Sequence, residues 1–471
     1  MKALAQFAPP PRRPFRWMLL IAAALFLLLA TVPLPAATAR PTATHPADAA
    51  LYAFFQQYLD AWLRERPFEA TRLGDHRFDD RLEDLSSAAQ DRRRQSLRDT
   101  LENLPRRVTR STLSRDGAID YEILEHDLRR SLWLEENTRP LAEDPRVYSE
   151  YISDSVFLPL TQSTLPLETN VANCLARMQA IPGIVDAARK NLTRPPRTHT
   201  ETAIRQNLGA ISFYETDLPG LARGSRQLAA LRAEGRRVAA TLRGYQEFLE
   251  KELLPKADGD WRLGATRFRE KLALDLNAGL SADEVLAQAE SEFQRVQAEL
   301  YVVARQLWSR YHPAEALPPD HPDGRRATIA RVMQDVGAEH GKPEHLVRDA
   351  RRIVVSLKRF IRERDFLRLP DPDQCAVIEM PEFQRGNSTA YLSSAPPLDP
   401  EASSYYAVSP PPSDWSPERV RSYLEEYNTH MLHILSLHEA YPGHYVQLEY
   451  ANRHPSPIRR VIQSGPFIEG W

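Results

Sequence analysis

Ser436-Leu-His-Glu-Ala-Tyr-Pro-Gly-His-Tyr-Val-Gln-Leu448 sets two imidazoles, His438 and His444, around a glutamate, Glu439. These are the residue types of a hydrolytic zinc site. Zinc takes neutral imidazole and carboxylate ligands, keeps a position for water and lowers that water's pKa to about 7, where a neighbouring glutamate completes the deprotonation. In the zincin pattern H-E-x-x-H the histidines are four apart and share a helix face, whereas six residues on a regular helix leave them roughly 120° and ~9 Å apart. Pro442 cannot donate an i to i−4 hydrogen bond and its ring clashes with the His438 carbonyl, while Gly443 tolerates backbone angles that other residues avoid. The dipeptide leaves two readings. Either it forms a turn that swings His444 back beside His438, or it ends a helix and keeps the two apart. Ile434 and Leu435 precede His438 by four and three, which puts His438 on the packed face and leaves a buried core histidine as the bland alternative.

Upstream, strand-like material is concentrated in Cys375–Met380, Ser388–Ser393 and Ser403–Ser409, short β-branched or aromatic runs separated by Pro, Gly and Asp. They predict a small sheet just before the histidine run, and such a sheet is how a zinc peptidase offers an edge strand to an extended peptide. Tyr391, Tyr405 and Tyr406 read as cross-strand packing before they read as substrate or oxyanion donors. Ser416-Pro417 supplies an N-cap and a first-turn proline for the helix that leads on. His430 and His433 lie three apart, but His433 is about 140° from His438 on a helix, so ordinary surface histidine is the reading there. Ser436 lacks a surrounding Gly-x-Ser-x-Gly elbow, which argues against a serine hydrolase.

The rest of the chain reads as helix. Leu51, Phe54, Phe55, Tyr58, Leu59, Trp62 and Leu63 form one apolar stripe, and further patterns run over 90–103, 118–136, 171–192, 203–214, 227–254 and 343–364. Ser281-Ala-Asp-Glu284 is a capping box opening a helix toward Tyr311. Gly is scarce at 18 residues and Pro abundant at 38, which suits many helices broken at prolines and argues against a β-sandwich. The fold class expected is mainly α, a large multi-helical fold with a small β-sheet next to the metal-site helix.

Arg12, Arg13 and Arg16 precede an apolar run from Trp17 to Val32, and Ala37-Thr38-Ala39 has the small-x-small form of a cleavage site. Residues 1–39 therefore read as a secretory signal, 40–47 as a linker and 48–471 as the folded domain, in a periplasmic or secreted protein. An uncleaved anchor is the minority reading, since the run is short for a membrane span. Removing the signal takes away Lys2, Arg12, Arg13 and Arg16 and no acid, moving the formal charge from −2 to −6. That balance gives no electrostatic case for nucleic acid, and it favours solubility over membrane attachment. Arg92-Arg93-Arg94 and Arg351-Arg352 sit among acids and read as solvated helix faces before a phosphate site. Cys174 and Cys375, the only cysteines, could pair in an oxidising compartment, although Cys174 lies in a helical stretch that suits a buried thiol.

Ser464-Gly-Pro-Phe-Ile-Glu-Gly-Trp471 places Glu469 within reach of a loop and a second helix after His444. A carboxylate there would complete a two-histidine, one-glutamate set. With 63 acids in the chain, the position alone means little.

Leu435-Ser-Leu-His-Glu-Ala-Tyr-Pro-Gly-His-Tyr-Val-Gln447 followed by Phe467-Ile-Glu-Gly-Trp471 resembles the bacterial family called domain of unknown function 885, with its HEAYPGH and EGW signature. Phe54 to Asp80 looks like that family's opening segment and Ala390 to Asn428 like its approach to the motif, so the resemblance covers essentially all of the chain after the signal. The resemblance implies a helical, zincin-like domain related to metallopeptidases. In it His438, His444 and Glu469 bind zinc, and Glu439 is the catalytic general base that activates metal-bound water to hydrolyse extracytoplasmic peptides. A non-catalytic periplasmic peptide-binding protein is the competing class. Members of that family continue past EGW with a further helical segment, so the domain is expected to be truncated at its C-terminus, with Glu469 two residues from the last residue, Trp471.

Overall fold

The structure is a computed structural model and describes residues 45–385 and 388–471. The expected signal, and all of the 40–47 linker except its last three residues, lie outside the described residues. Helix begins at Pro46, inside the expected linker, because that proline can open a helix whose Leu51, Phe54 and Phe55 bury a continuous stripe. The principal helices upstream of the sheet are α1 (Pro46–Glu65), α2 (Ser87–Arg107), α3 (Arg115–Asn137), α4 (Leu167–Asn191), α5 (Arg197–Ser212), α6 (Leu228–Glu247), α7 (Ala282–Tyr311), α8 (Pro322–Ala338) and α9 (Leu346–Arg364). Downstream come α10 (Pro417–Glu426), α11 (Thr429–Glu439), α12 (His444–Asn452) and α13 (Gly465–Gly470).

Local chemistry sets many of these starts. Ser86, Ser114 and Ser416 each accept from a backbone N–H three residues on, and the Ser281 to Glu284 capping box forms in both directions. The expected helix ends at 214 and 254 are less regular. There α5 and α6 run on into π-helical turns, Phe213–Asp217 and Phe248–Leu253. Helix α8 lies outside the expected stretches, although Ile329, Val332 and Val336 recur at three and four and pack with Trp308 of α7.

Three large apolar clusters hold the described residues together, and a smaller one of Ala304, Trp308 and Val332 joins α7 to α8. Leu51, Phe55, Leu97, Leu104, Leu124 and Leu128 join α1, α2 and α3. Val171, Met178, Ile181, Tyr214, Leu242 and Tyr245 join α4 to α5 and α6. Ile353, Val377, Tyr406, Leu432, Tyr441 and Val446 pack the sheet onto α9, α11 and the turn that follows. Cys174 is fully buried in the second cluster and both cysteines are free thiols.

The sheet has three strands, β1 (Cys375–Glu379), β2 (Ala390–Ser393) and β3 (Ser404–Val408), in the order β1-β3-β2. β1 runs parallel to β3 with Val377 opposite Tyr406, and β2 runs antiparallel with Leu392 opposite Tyr406. β2 is therefore an edge strand. Thr389 O accepts from Ser409 N at 2.8 Å, so alternation turns the backbone groups of Tyr391 and Ser393 toward β3 and those of Ala390 and Leu392 away from it. The strand tyrosines bond off the sheet: Tyr406 is buried with its hydroxyl 3.2 Å from Ser436 Oγ of α11, and Tyr405 donates to Thr161 O at 2.6 Å. No helix among the described residues is long and apolar enough to cross a membrane.

Candidate metal centre

Helix α11 opens at Asn428, whose side chain accepts from His430 N and Met431 N at 3.0 and 3.1 Å. It ends at Glu439, where Ala440 N and Tyr441 N both bond to Ser436 O. The chain reverses through Tyr441-Pro442-Gly443 and re-enters helix at His444. Pro442 thus interrupts the helix as the sequence predicts. A close approach of the chain demands glycine at 443. Its φ is −66°, so no left-handed angle is needed. A Cβ there would instead sit 1.9 Å from His438 O and 2.2 Å from Leu437 O, and only glycine lets the turn fold that closely over the last turn of α11.

Buried anchors fix the turn. Ala440 and Tyr441 are fully buried. The Tyr441 hydroxyl bonds to Asp373, Asp373 is ion-paired to Lys358 Nζ at 2.7 Å, and that ammonium stands 4.5 Å over the Tyr441 ring. Tyr445 accepts at its hydroxyl from Gln374 N at 2.9 Å, and Trp471 Nε1 donates to Pro442 O at 2.8 Å. Asp373 and Lys358 are invisible as anchors in the sequence. They stand far from the motif along the chain and carry no local signature.

The outcome is convergence. His438 Nε2 and His444 Nε2 lie 3.1 Å apart with ring planes at 63°. Glu469 Oε2, on α13, is 3.6 Å from the first and 3.8 Å from the second. Among the described residues these three are the one group of His, Cys, Asp or Glu gathered closely enough to hold an ion. Metal distances of about 2.0–2.2 Å set tetrahedral ligand atoms roughly 3.3–3.5 Å apart, and the three separations straddle that range. The donor set, two nitrogens and one oxygen, also suits zinc.

His438 is not on the packed face. Its side chain is 44 % exposed, and Ile434 beside it is also exposed, because the sheet covers the opposite side of α11, where Leu432 and Ser436 are buried. The buried-core alternative for His438 therefore falls. His444 is 11 % exposed, and its pKa is lowered by burial and then by the neighbouring His438, which favours the neutral, ligating form. Glu439 is buried; burial raises its pKa, against the pull of His438 and of a hydrogen bond from Leu392 N–H on the open edge of β2, and Glu469 adds to the rise. His430 and His433 stay apart from the centre. The first faces Glu339 at 2.9 Å, and the second bonds its own helix at Thr429 O.

The family model for "Bacterial protein of unknown function (DUF885)" matches residues 67–471. A solved structure described as "a putative lipoprotein of unknown function from Shewanella oneidensis" is similar at 28 % identity and a TM-score of 0.66, over 89 % of this chain and 75 % of that one. Among curated proteins none matches the sequence significantly. The chain belongs to the DUF885 family.

Proposed function

We propose that this DUF885 member is a zincin-like, zinc-dependent peptidase acting on extracytoplasmic peptides. The observation that carries the reading is the meeting of His438 Nε2, His444 Nε2 and Glu469 Oε2 within 3.8 Å of one another, beside a buried carboxylate, Glu439, that is not one of the three. A zinc ion held by those residues supplies Lewis acidity toward a carbonyl and lowers the pKa of water toward neutrality. Glu439 accepts the proton from the attacking water and returns it to the departing amine nitrogen, and its raised proton affinity suits both transfers. With the Leu392 N–H given to Glu439, the backbone groups of Ala390 and the Leu392 carbonyl, turned away from β3, are left to pair with an extended peptide beside that carboxylate. Partial exposure of His438 leaves the approach open on the solvent side.

Glu439→Gln tests this. Zinc content is expected to stay near one per chain by metal analysis, while cleavage of a fluorogenic peptide mixture falls by about 10²–10⁴-fold. Retained cleavage in that variant sinks the assignment. A wild-type chain that holds zinc and cleaves nothing selects the non-catalytic peptide-binding alternative.

A further inference from the structure

Arg92-Arg93-Arg94 reads from sequence as a solvated run, and two of its members are: Arg92 is 58 % exposed, and Arg94 pairs with Asp91 at the surface. Arg93 departs from that reading. It is 93 % buried, from a residual exposure of 7 %, and has no carboxylate partner among the described residues. One terminal nitrogen donates to the carbonyls of Asp84 at 2.7 Å and Glu65 at 3.4 Å, and its Nε–H has no acceptor. A guanidinium cannot shed its proton to escape burial, so this charge lacks its counter-ion.

Arg93 lines a cavity of about 750 Å³ between the end of α1, helices α2 and α3, and the segment that follows α3. Arg66 and Arg139 line it too. Arg66 lies 4.9 Å over the Trp62 ring and reaches Glu135 at 3.3 Å. Its pKa is lowered by burial first and by the like charge of Arg93 second. Of the cavity's acids, Glu135 is taken by Arg66 and Glu69 by Arg72, so Arg93 and Arg139 remain uncompensated among the described residues. Trp62, Leu97, Leu134 and Tyr151 supply an apolar wall beside the cations.

We propose that this cavity binds a small organic anion, a carboxylate or phosphate head on an apolar body, with the head between Arg66 and Arg93 and the body against Trp62 and Leu97. The charge deficit fixes the sign of the ligand, because a bidentate oxyanion satisfies guanidinium donors that backbone carbonyls leave idle. The volume falls within the range of small-molecule sites, and the mixed lining is of the kind such sites use. No residue of the metal centre takes part, so the site stands or falls independently of the peptidase reading.

Calorimetric titration of the mature chain with sodium octanoate, octanamide and inorganic phosphate, at constant ionic strength, tests it. Octanoate is expected to bind, phosphate to bind more weakly, and octanamide not to bind. Arg93→Met is expected to weaken octanoate at least about tenfold, and the surface control Arg110→Gln to leave it unchanged. If Arg93→Met does not fold, Arg66→Gln carries the same expectation. The proposal is overturned if octanoate does not bind below 10 mM, if octanamide binds equally well, or if the arginine variants bind octanoate like the wild type. Binding of phosphate without octanoate likewise overturns the apolar half of the ligand and leaves a bare oxyanion site.

Discussion

His76 and the His438–His444 pair bring imidazole and carboxylate together in opposite ways. His76 is saturated: Nδ1 reaches Asp79 at 2.8 Å and Nε2 reaches Asp399 at 3.0 Å. Those carboxylates are held in turn, Asp79 by Thr71 and Asp399 by Thr164 N and Oγ1. Burial alone lowers the His76 pKa, yet the two acids outweigh it and raise it to about 9. At neutral pH this ring is a structural cation with no free nitrogen. At the second place two Nε2 atoms face each other across 3.1 Å with one exposed carboxylate beyond them, and burial and mutual repulsion lower the pKa of His444. Histidine near acid is thus no single signal. Full satisfaction on both nitrogens marks structure, and converging lone pairs mark a place for a cation.

The largest expected break in that contrast is Gly443→Ala. A methyl 1.9 Å from a backbone oxygen forces the turn open, so zinc should fall far below one per chain and metal-free stability should drop by about 3 kcal/mol or more. Urea unfolding with metal analysis checks both, and a variant with wild-type stability and full zinc would remove the reason for the convergence. Next is His76→Gln. The folded pKa of about 9 lies above the ordinary histidine value, so the stabilisation is complete below about pH 6.5 and is lost as pH rises through 9. The gap between wild type and variant should be about 2–3 kcal/mol near pH 6 and should narrow steadily toward pH 10, with zinc affinity untouched. A pH-independent gap would make His76 a packing residue. The smallest effect on folding is expected from Glu469→Ala, because the side chain is 69 % exposed. Metal-free stability should stay within about 0.5 kcal/mol, while zinc affinity falls on the order of 100-fold, the upper end of the losses seen when residues supporting a metal site are removed. An unaltered zinc affinity would take Glu469 out of the ligand set.

Much of this was legible along the chain. The periodic stripes gave the long helices nearly to their ends, since apolar spacing is a local property, and the three strands fell where β-branched and aromatic runs stand between turn residues. The break at Pro442 was legible because proline acts on its own helix. Other features were hidden for equally physical reasons. The exposure of His438 depends on which side of α11 the sheet covers, which no pattern within that helix encodes. Arg93 looks like its neighbours in sequence and is buried where the end of α1 and the segment before α2 meet it, at Glu65 O and Asp84 O. His76 and Asp399 are 323 positions apart and meet only through the fold. Asp373 and Lys358 anchor Tyr441 from distant segments for the same reason.

Propensity, capping and proline act over a few residues, and they are enough to specify a mainly helical chain with a short sheet and a broken helix carrying two histidines about a glutamate. Packing settles that those histidines converge with Glu469, that a close approach requires glycine at 443, and that one arginine of three lies in a cavity without a counter-ion among the described residues. Distances, burial and charge balance are properties of packed neighbours, and packing joins residues that the chain keeps apart.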